Sequence, residues 1–338
     1  MPTDATTLAA GAVPMIDVWR GARVESAHSG HAVICDAQGR VVEAWGNPDA
    51  VIYPRSSAKM IQALPLLDSG AGARLSAAQL ALACASHQGA AVHVETVRRW
   101  LVDLGATEAD LRCGAHEPKD QATRDALTRA GDAPCQLHNN CSGKHAGFVM
   151  LARHLRAGAD YVERDHPVQR AVAACMDEVT GVASPGWGID GCAAPNFATT
   201  VAGLARAMAA FAAADRGGDA RAGAMVRLRE AMMAHPDLVA GEGRACTELM
   251  RAMDGRAAIK TGAEAVFVAI LPAQGMGIAL KIVDGATRAA EAAITALLIR
   301  AGVLAADHPA ARARLGGPLR NHRGMITGHL ACAPGFPG

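Results

Sequence analysis

Short apolar runs open the chain, at residues 15–25, 31–36 and 41–45, and their length and polar boundaries predict β-strands. Asp36-Ala37-Gln38-Gly39, between the second and third runs, is a hairpin turn signal. From Lys59 to about Gly105 the period lengthens to that of a helix. Ile61, Leu64 and Leu67 share one face, and residues 78–84 begin another apolar segment. The Ala-rich middle, to about Met253, predicts mainly helix, broken by Gly- and Cys-bearing loops near 113, 141 and 190. Strand patterning returns at 265–271 and 277–283 around Pro272-Ala273-Gln274-Gly275, and a helix follows at about 287–300. There are no repeats and no heptads. Strands at both ends with helices between them predict an α/β chain of α+β arrangement. An antiparallel sheet is expected from residues 15–58 and 256–332, with a mainly helical lobe at 59–255 carrying the motif loops, the whole forming one catalytic unit.

Composition narrows the function. A chain of 338 residues is long enough to bury a core without metal or disulfide. The net charge is +1 and aromatic residues make up 3%, so a basic stripe or a stacking platform for nucleic acid is not expected, and the partner is small. No run approaches 18 uninterrupted apolar residues, and the N-terminus does not read as a signal peptide. Nine cysteines at scattered spacings then argue for reduced thiols in a cytoplasmic protein, not a disulfide framework.

The first candidate chemistry is Arg55-Ser56-Ser57-Ala58-Lys59, where strand gives way to helix. A helix carries residues three apart on one face, so Lys59 can meet the Ser56 hydroxyl while Ser57 points elsewhere. A serine hydroxyl is a weak nucleophile until a base takes its proton, and a lysine with a depressed pKa can serve. The plainer alternative is that Ser56 caps the helix and Lys59 is solvated. A second feature favours chemistry: Lys260-Thr261-Gly262 starts the returning strand pattern. Ser-x-x-Lys followed by Lys-Thr-Gly is the paired signature of serine β-lactamases and penicillin-binding proteins, although no Ser-Asp-Asn lies between them here.

The loops are more specific. His138-Asn139-Asn140-Cys141-Ser142-Gly143-Lys144-His145-Ala146-Gly147 is dense in functional side chains. Ala85-Ser86-His87-Gln88-Gly89, Arg112-Cys113-Gly114-Ala115-His116-Glu117-Pro118 and Gly188-Ile189-Asp190-Gly191-Cys192 are similar, and Gly241-Glu242-Gly243-Arg244-Ala245-Cys246-Thr247 is a weaker fifth. With the Ser56–Lys59 segment, these resemble in order the asparaginase II family, the thermolabile rhizobial-type L-asparaginases. Met60, Ala90 and Ala193 depart from it, standing where many members have proline, glutamate, and glycine or asparagine.

The resemblance implies a fold like that of serine β-lactamases and glutaminases, with two serine–lysine pairs, Ser56 with Lys59 and Ser86 with Lys260. It implies hydrolysis of L-asparagine to L-aspartate and ammonia through an acyl-enzyme, with Ser56 or Ser86 as nucleophile. Arg55 is the natural partner for the substrate α-carboxylate. His87, Asn140, His145 and Asp190 are expected to contact substrate. Cys141, Lys144, Asp190 and Cys192 are expected to bind zinc, with Lys144 as a neutral ligand, and Cys246 to lie in an outer shell. A homodimer is also expected. The rivals are a β-lactamase or D,D-peptidase, another amide hydrolase, and a non-enzymatic binding protein that keeps the fold.

Overall fold

The computed structural model describes residues 5–337. The chain divides into two compact units: among the described residues, 5–57, 199–213 and 248–337 form one, and 58–198 and 214–247 the other.

The first unit is built on an eight-stranded antiparallel sheet. Its strands are β1 (Val13–Arg20), β2 (Arg23–Cys35), β3 (Val41–Trp45), β4 (Ala258–Gly262), β5 (Val266–Leu271), β6 (Met276–Ile282), β7 (Pro318–Arg320) and β8 (Ile326–Cys332). Their order is β7-β8-β1-β2-β6-β5-β4, with β3 beside β2. The N-terminal run read as residues 15–25 is two strands, because the chain reverses at Gly21, which has φ +54°. The turn at 36–39 forms as its sequence requires: Gly39 N–H donates to Asp36 O at 2.8 Å. Every residue of β5 is buried, the mark of a strand covered on both faces.

The helices Val201–Ala213 and Thr287–Arg300 pack on this sheet. The first differs from expectation, since its sequence position falls inside the stretch assigned to the helical lobe. Gly277 on β6 explains its place. A Cβ there would lie 2.1 Å from Ala209 N and 2.3 Å from Ala205 O, so only glycine lets the Ala-rich helix approach so closely.

The second unit is mainly helical. It contains α1 (Lys59–Asp68), α2 (Ala77–Ala83), α3 (Ala91–Asp103), α4 (Ser142–His154), α5 (Pro167–Thr180) and α6 (Ala220–Ala234). Ser76 caps α2 through Gln79 N–H, and the Gln79 side chain accepts from Ser76 N–H in return. The first turn of α4 crosses the end of α2 at backbone contact, for a Cβ on Gly143 would sit 2.4 Å from Leu82 O. That crossing sets the loop after α2, with Ser86, beside the loop before α4, with Asn140 and Cys141. A small hairpin, Trp187–Ile189 with Pro195–Phe197, presents the turn that holds Cys192. Ala193 in that turn has φ +67°, a left-handed conformation that suits glycine or asparagine better than alanine.

Candidate active site

In the sheet unit, Arg55–Ala58 forms a single 3₁₀ turn ahead of α1. The α1 N-cap is Ala58, with no side-chain cap, so the capping role considered for Ser56 is not seen. Arg55 has φ +52°, an uncommon conformation for a non-glycine residue, costing about 1–2 kcal/mol. The turn lies against β4. A Cβ on Gly262 would sit 2.6 Å from Pro54 O and 3.1 Å from Ser57 N. Ser57 faces inward and donates to Pro54 O at 2.6 Å, as the spacing predicts for the serine that does not pair with Lys59. Lys260 is two residues before Gly262 and so projects from the same face of β4, fully buried, where its Nζ donates to Thr261 O at 2.7 Å.

In the helical unit, Lys59 is 1% exposed, and its ammonium takes three acceptors. These are Ala85 O, Ser86 Oγ at 3.0 Å and Asn140 O at 3.5 Å. An ammonium has three N–H bonds, and a buried one needs each satisfied. Within this unit the hydroxyl bonded to Lys59 is that of Ser86, a pairing the sequence did not predict. Sequence spacing could not show this, because Ser86 reaches Lys59 only through the α2–α4 crossing. Ser86 is held by its own N–H, which donates to Val239 O at 2.9 Å.

His87 was expected on substrate, but its ring is committed inward. Nε2 lies 2.9 Å from Ser142 Oγ, and Nδ1 accepts from Gly89 N–H at 3.1 Å. Burial, then the neighbouring His93 and Lys59, hold its pKa well below the ordinary value. Asn140 is half-buried, and its side-chain oxygen accepts from the Cys141 thiol at 2.8 Å. Asn139 binds the 113 loop to the 141 loop, donating to Cys113 O and Gly114 O and accepting from Cys141 N–H.

A second buried lysine, Lys144, meets sulfur. Its Nζ donates to Cys192 Sγ at 3.1 Å and lies 5.3 Å from the centre of the Phe148 ring. The neighbouring Cys141 thiol holds Cys192 well below the usual thiol range against the opposing effect of burial, helped by Lys144 and His145. Cys141, facing that thiolate and buried, is pushed the other way. Burial pulls Lys144 down, but Cys192, Cys141 and Asp190 together outweigh it and raise its pKa. These opposed directions favour negative charge on Cys192 facing positive charge on Lys144. His145, also expected on substrate, is fully buried behind this cluster, and burial lowers its pKa to about 4. Its Nδ1 is 3.0 Å from the Tyr161 hydroxyl, which in turn accepts from Arg112 N–H at 2.8 Å. Asp190 is half-buried in the hairpin turn, where its N–H donates to Ala194 O. Cys246 is buried at the first turn of the helix Ala245–Met253. Tyr161 was missed by the sequence reading. The available signal was its rarity, as one of two tyrosines in the chain.

Among the described residues, no group of three or more His, Cys, Asp and Glu side chains is placed to hold a metal ion. The chemistry of Cys141, Cys192 and Lys144 still suits a soft cation.

The L-asparaginase II family model matches residues 16–332. The chain belongs to the L-asparaginase II family. This makes it an asparaginase-like amide hydrolase, with a small molecule as substrate. No curated protein matches this family member in sequence. Among solved structures it is similar to Mglu in its native form, at 13% identity and TM-score 0.48, over 86% of this chain and 69% of that one. It is similar to a β-lactamase from Mycobacterium bovis at 14% identity and TM-score 0.45, over 81% and 95%. It is also similar to the D-alanine carboxypeptidase AmpC from Burkholderia cenocepacia at 14% and 0.39, over 77% and 91%. No helix of this asparaginase II chain is long and apolar enough to cross a membrane among its described residues.

Proposed function

We propose that this chain is an L-asparaginase that works through a serine acyl-enzyme, with lysine as its base. The observation that carries the reading is the buried Lys59 ammonium on Ser86 Oγ at 3.0 Å, in a member of the L-asparaginase II family. In its neutral form Lys59 takes the proton of the attacking hydroxyl. The serine oxygen bonds to the side-chain carbonyl carbon of asparagine, the C–N bond breaks, and the proton passes to nitrogen, which leaves as ammonia. Water then attacks the ester, releasing aspartate and restoring the hydroxyl. Ser56 or Ser86 is the nucleophile, and Lys260 is the second base. The Arg55 guanidinium suits the α-carboxylate of the substrate, with two parallel hydrogen bonds. Ammonia release from asparagine, compared with hydrolysis of a chromogenic cephalosporin, tests the reading: cephalosporin turnover without ammonia would replace it with a β-lactamase.

Zinc is a separate proposal, resting on the donor set. Cys141, Cys192 and Lys144 would hold it, with Asp190 in reach of the same turn, and it would shape the substrate pocket beside a nucleophile and base that the chain already supplies. Binding would require Lys144 and Cys141 to lose protons, so affinity would fall with pH. A cytoplasmic homodimer completes the reading, with light scattering of the purified chain as the test of its oligomeric state.

A further inference from the structure

His93, in the first turn of α3, was not singled out by any motif. It is 1% exposed, and its ring stacks on that of His87 with centroids 4.7 Å apart and planes 7° from parallel. Hydrogen-bond accounting assigns a proton to each ring. Ser142 Oγ donates its one proton to Leu137 O at 3.0 Å, so it must accept from His87 Nε2–H. His87 Nδ1 then carries none, which agrees with its accepting Gly89 N–H. His93 Nε2 lies 2.9 Å from Asp237 O, which can only accept, while His93 Nδ1 accepts Ala90 N–H at 3.1 Å. Both imidazoles are neutral and protonated on Nε2.

Their two Nδ1 atoms accept successive backbone N–H groups, Gly89 and Ala90, in the segment that follows Ser86. Gly89 has φ +75°, and a Cβ there would meet Pro118 Cβ at 2.9 Å and His138 O at 3.0 Å, so the reversal is tight. We propose that His93 is a positioning residue for the serine–lysine pair: stacked on His87, it fixes the 87–90 reversal that holds the Ser86 hydroxyl on Lys59. The inference rests on the serine–lysine reading above and extends it to a residue outside the motif loops.

The arrangement tolerates only neutral rings. A proton on either Nδ1 would face a backbone N–H and break its hydrogen bond. The cationic or cation-forming groups facing His87 are His93, Lys59, His138 and His116, all of which oppose its protonation. On His93, burial opposes a proton, while Asp237 and Asp120 favour one too weakly to prevail.

The test uses two variants and one spectrum. His93→Phe keeps the stacked ring but removes both hydrogen bonds, whereas His93→Gln returns an acceptor for Ala90 N–H. We expect His93→Phe to lower kcat for asparagine at least about tenfold with KM changed less than about threefold, and His93→Gln to restore most of it. The acid limb of kcat should also move in His93→Gln, because one of two titrating rings is gone; a purely structural residue would leave it in place. Labelling of the reactive serine, Ser86 or Ser56, by a fluorophosphonate should slow in parallel in His93→Phe, and this readout needs no amide substrate. Ring ¹⁵N spectra of the wild-type chain should show Nδ1 of both histidines unprotonated. A folded His93→Phe with wild-type kcat and labelling rate, or a spectrum with a proton on either Nδ1, would overturn the proposal. A wild-type chain that labels at Ser86 or Ser56 but releases no ammonia would overturn the asparaginase reading and leave the positioning claim to the labelling rates.

Discussion

Two lysines are buried in the same helical unit, and their neighbours differ in kind. Lys59 is ringed by three neutral oxygens, from Ala85, Ser86 and Asn140. Lys144 faces a sulfur, that of Cys192, whose pKa is lowered by the neighbouring Cys141, Lys144 itself and His145 against the effect of burial. A negative charge opposite a lysine holds its proton in place; a hydroxyl opposite a neutral lysine has a base to which its own proton can pass. On the proposed mechanism, the contrast would separate a proton carrier from a counterion, although residue type and burial are the same at both places.

The largest effect that can break the contrast comes from exchanging each lysine for methionine. Lys59→Met should lower kcat at least about 100-fold, because members of a catalytic unit fail together, with the fold intact by circular dichroism. Lys144→Met should act first on stability, since it removes the buried amine that donates to Cys192 Sγ; breaking a buried charged pair costs about 3–5 kcal/mol. Chemical denaturation and kcat measured on both variants would show whether the two lysines divide these roles. Equal losses of kcat with equal stability would erase the distinction.

Gly262→Ala sharpens the comparison from the sheet unit. The added Cβ would push on Pro54 O, shifting the turn that carries Ser56. A roughly tenfold or greater fall in kcat is expected, with a stability loss in the usual range of about 1–3 kcal/mol for overpacking. Unchanged kcat would mean that the position of this turn does not matter to the reaction.

The next effect is in acid. His87 and His93 have lowered pKa values in the fold, chiefly through burial, so below the ordinary histidine value of about 6.5 the unfolded chain binds protons that the folded chain refuses. Stability should be full above about pH 6.5 and fall as pH drops below it, and the slope should be shallower in His93→Gln. Urea melts across this range would show it; equal slopes would mean that the stack does not carry the acid sensitivity.

The smallest expected effect on the chemical step is that of metal. Zinc uptake near one per chain is expected, lost in Cys141→Ser and Cys192→Ser, with chelation raising KM more than it lowers kcat. Elemental analysis showing none, with wild-type kinetics in both variants, would reduce the thiols to packing.

Much of this was readable from the chain. The Asp36–Gly39 turn, the helix Thr287–Arg300 and the return of strands after residue 256 depend on local patterning, and they appear where that patterning places them. The family was readable because loops such as 138–147 keep their residues in order. The lysine partners were not. Lys59 finds Ser86 through a backbone crossing at Gly143, and no spacing along the chain encodes that approach. The inward commitment of His87 and His145 was hidden for the same reason. Motif residues are read as facing substrate, while the hydrogen bonds that turn them inward come from Ser142, Gly89 and Tyr161, at sequence separations from two to 55. The helix Val201–Ala213 looked like any Ala-rich helix of the middle stretch, and only its fit against Gly277 assigns it to the sheet.

The central claim is a serine acyl-enzyme made with the help of Lys59, and trapping that intermediate tests it most directly. The chain would be mixed with L-asparagine, quenched in acid within the first turnover, and its peptides mapped by mass spectrometry. The account predicts one aspartyl group in ester linkage, on Ser86 or Ser56, with no adduct in Lys59→Met. Steady ammonia release with no serine adduct, together with undiminished turnover in a folded Lys59→Met, would contradict it.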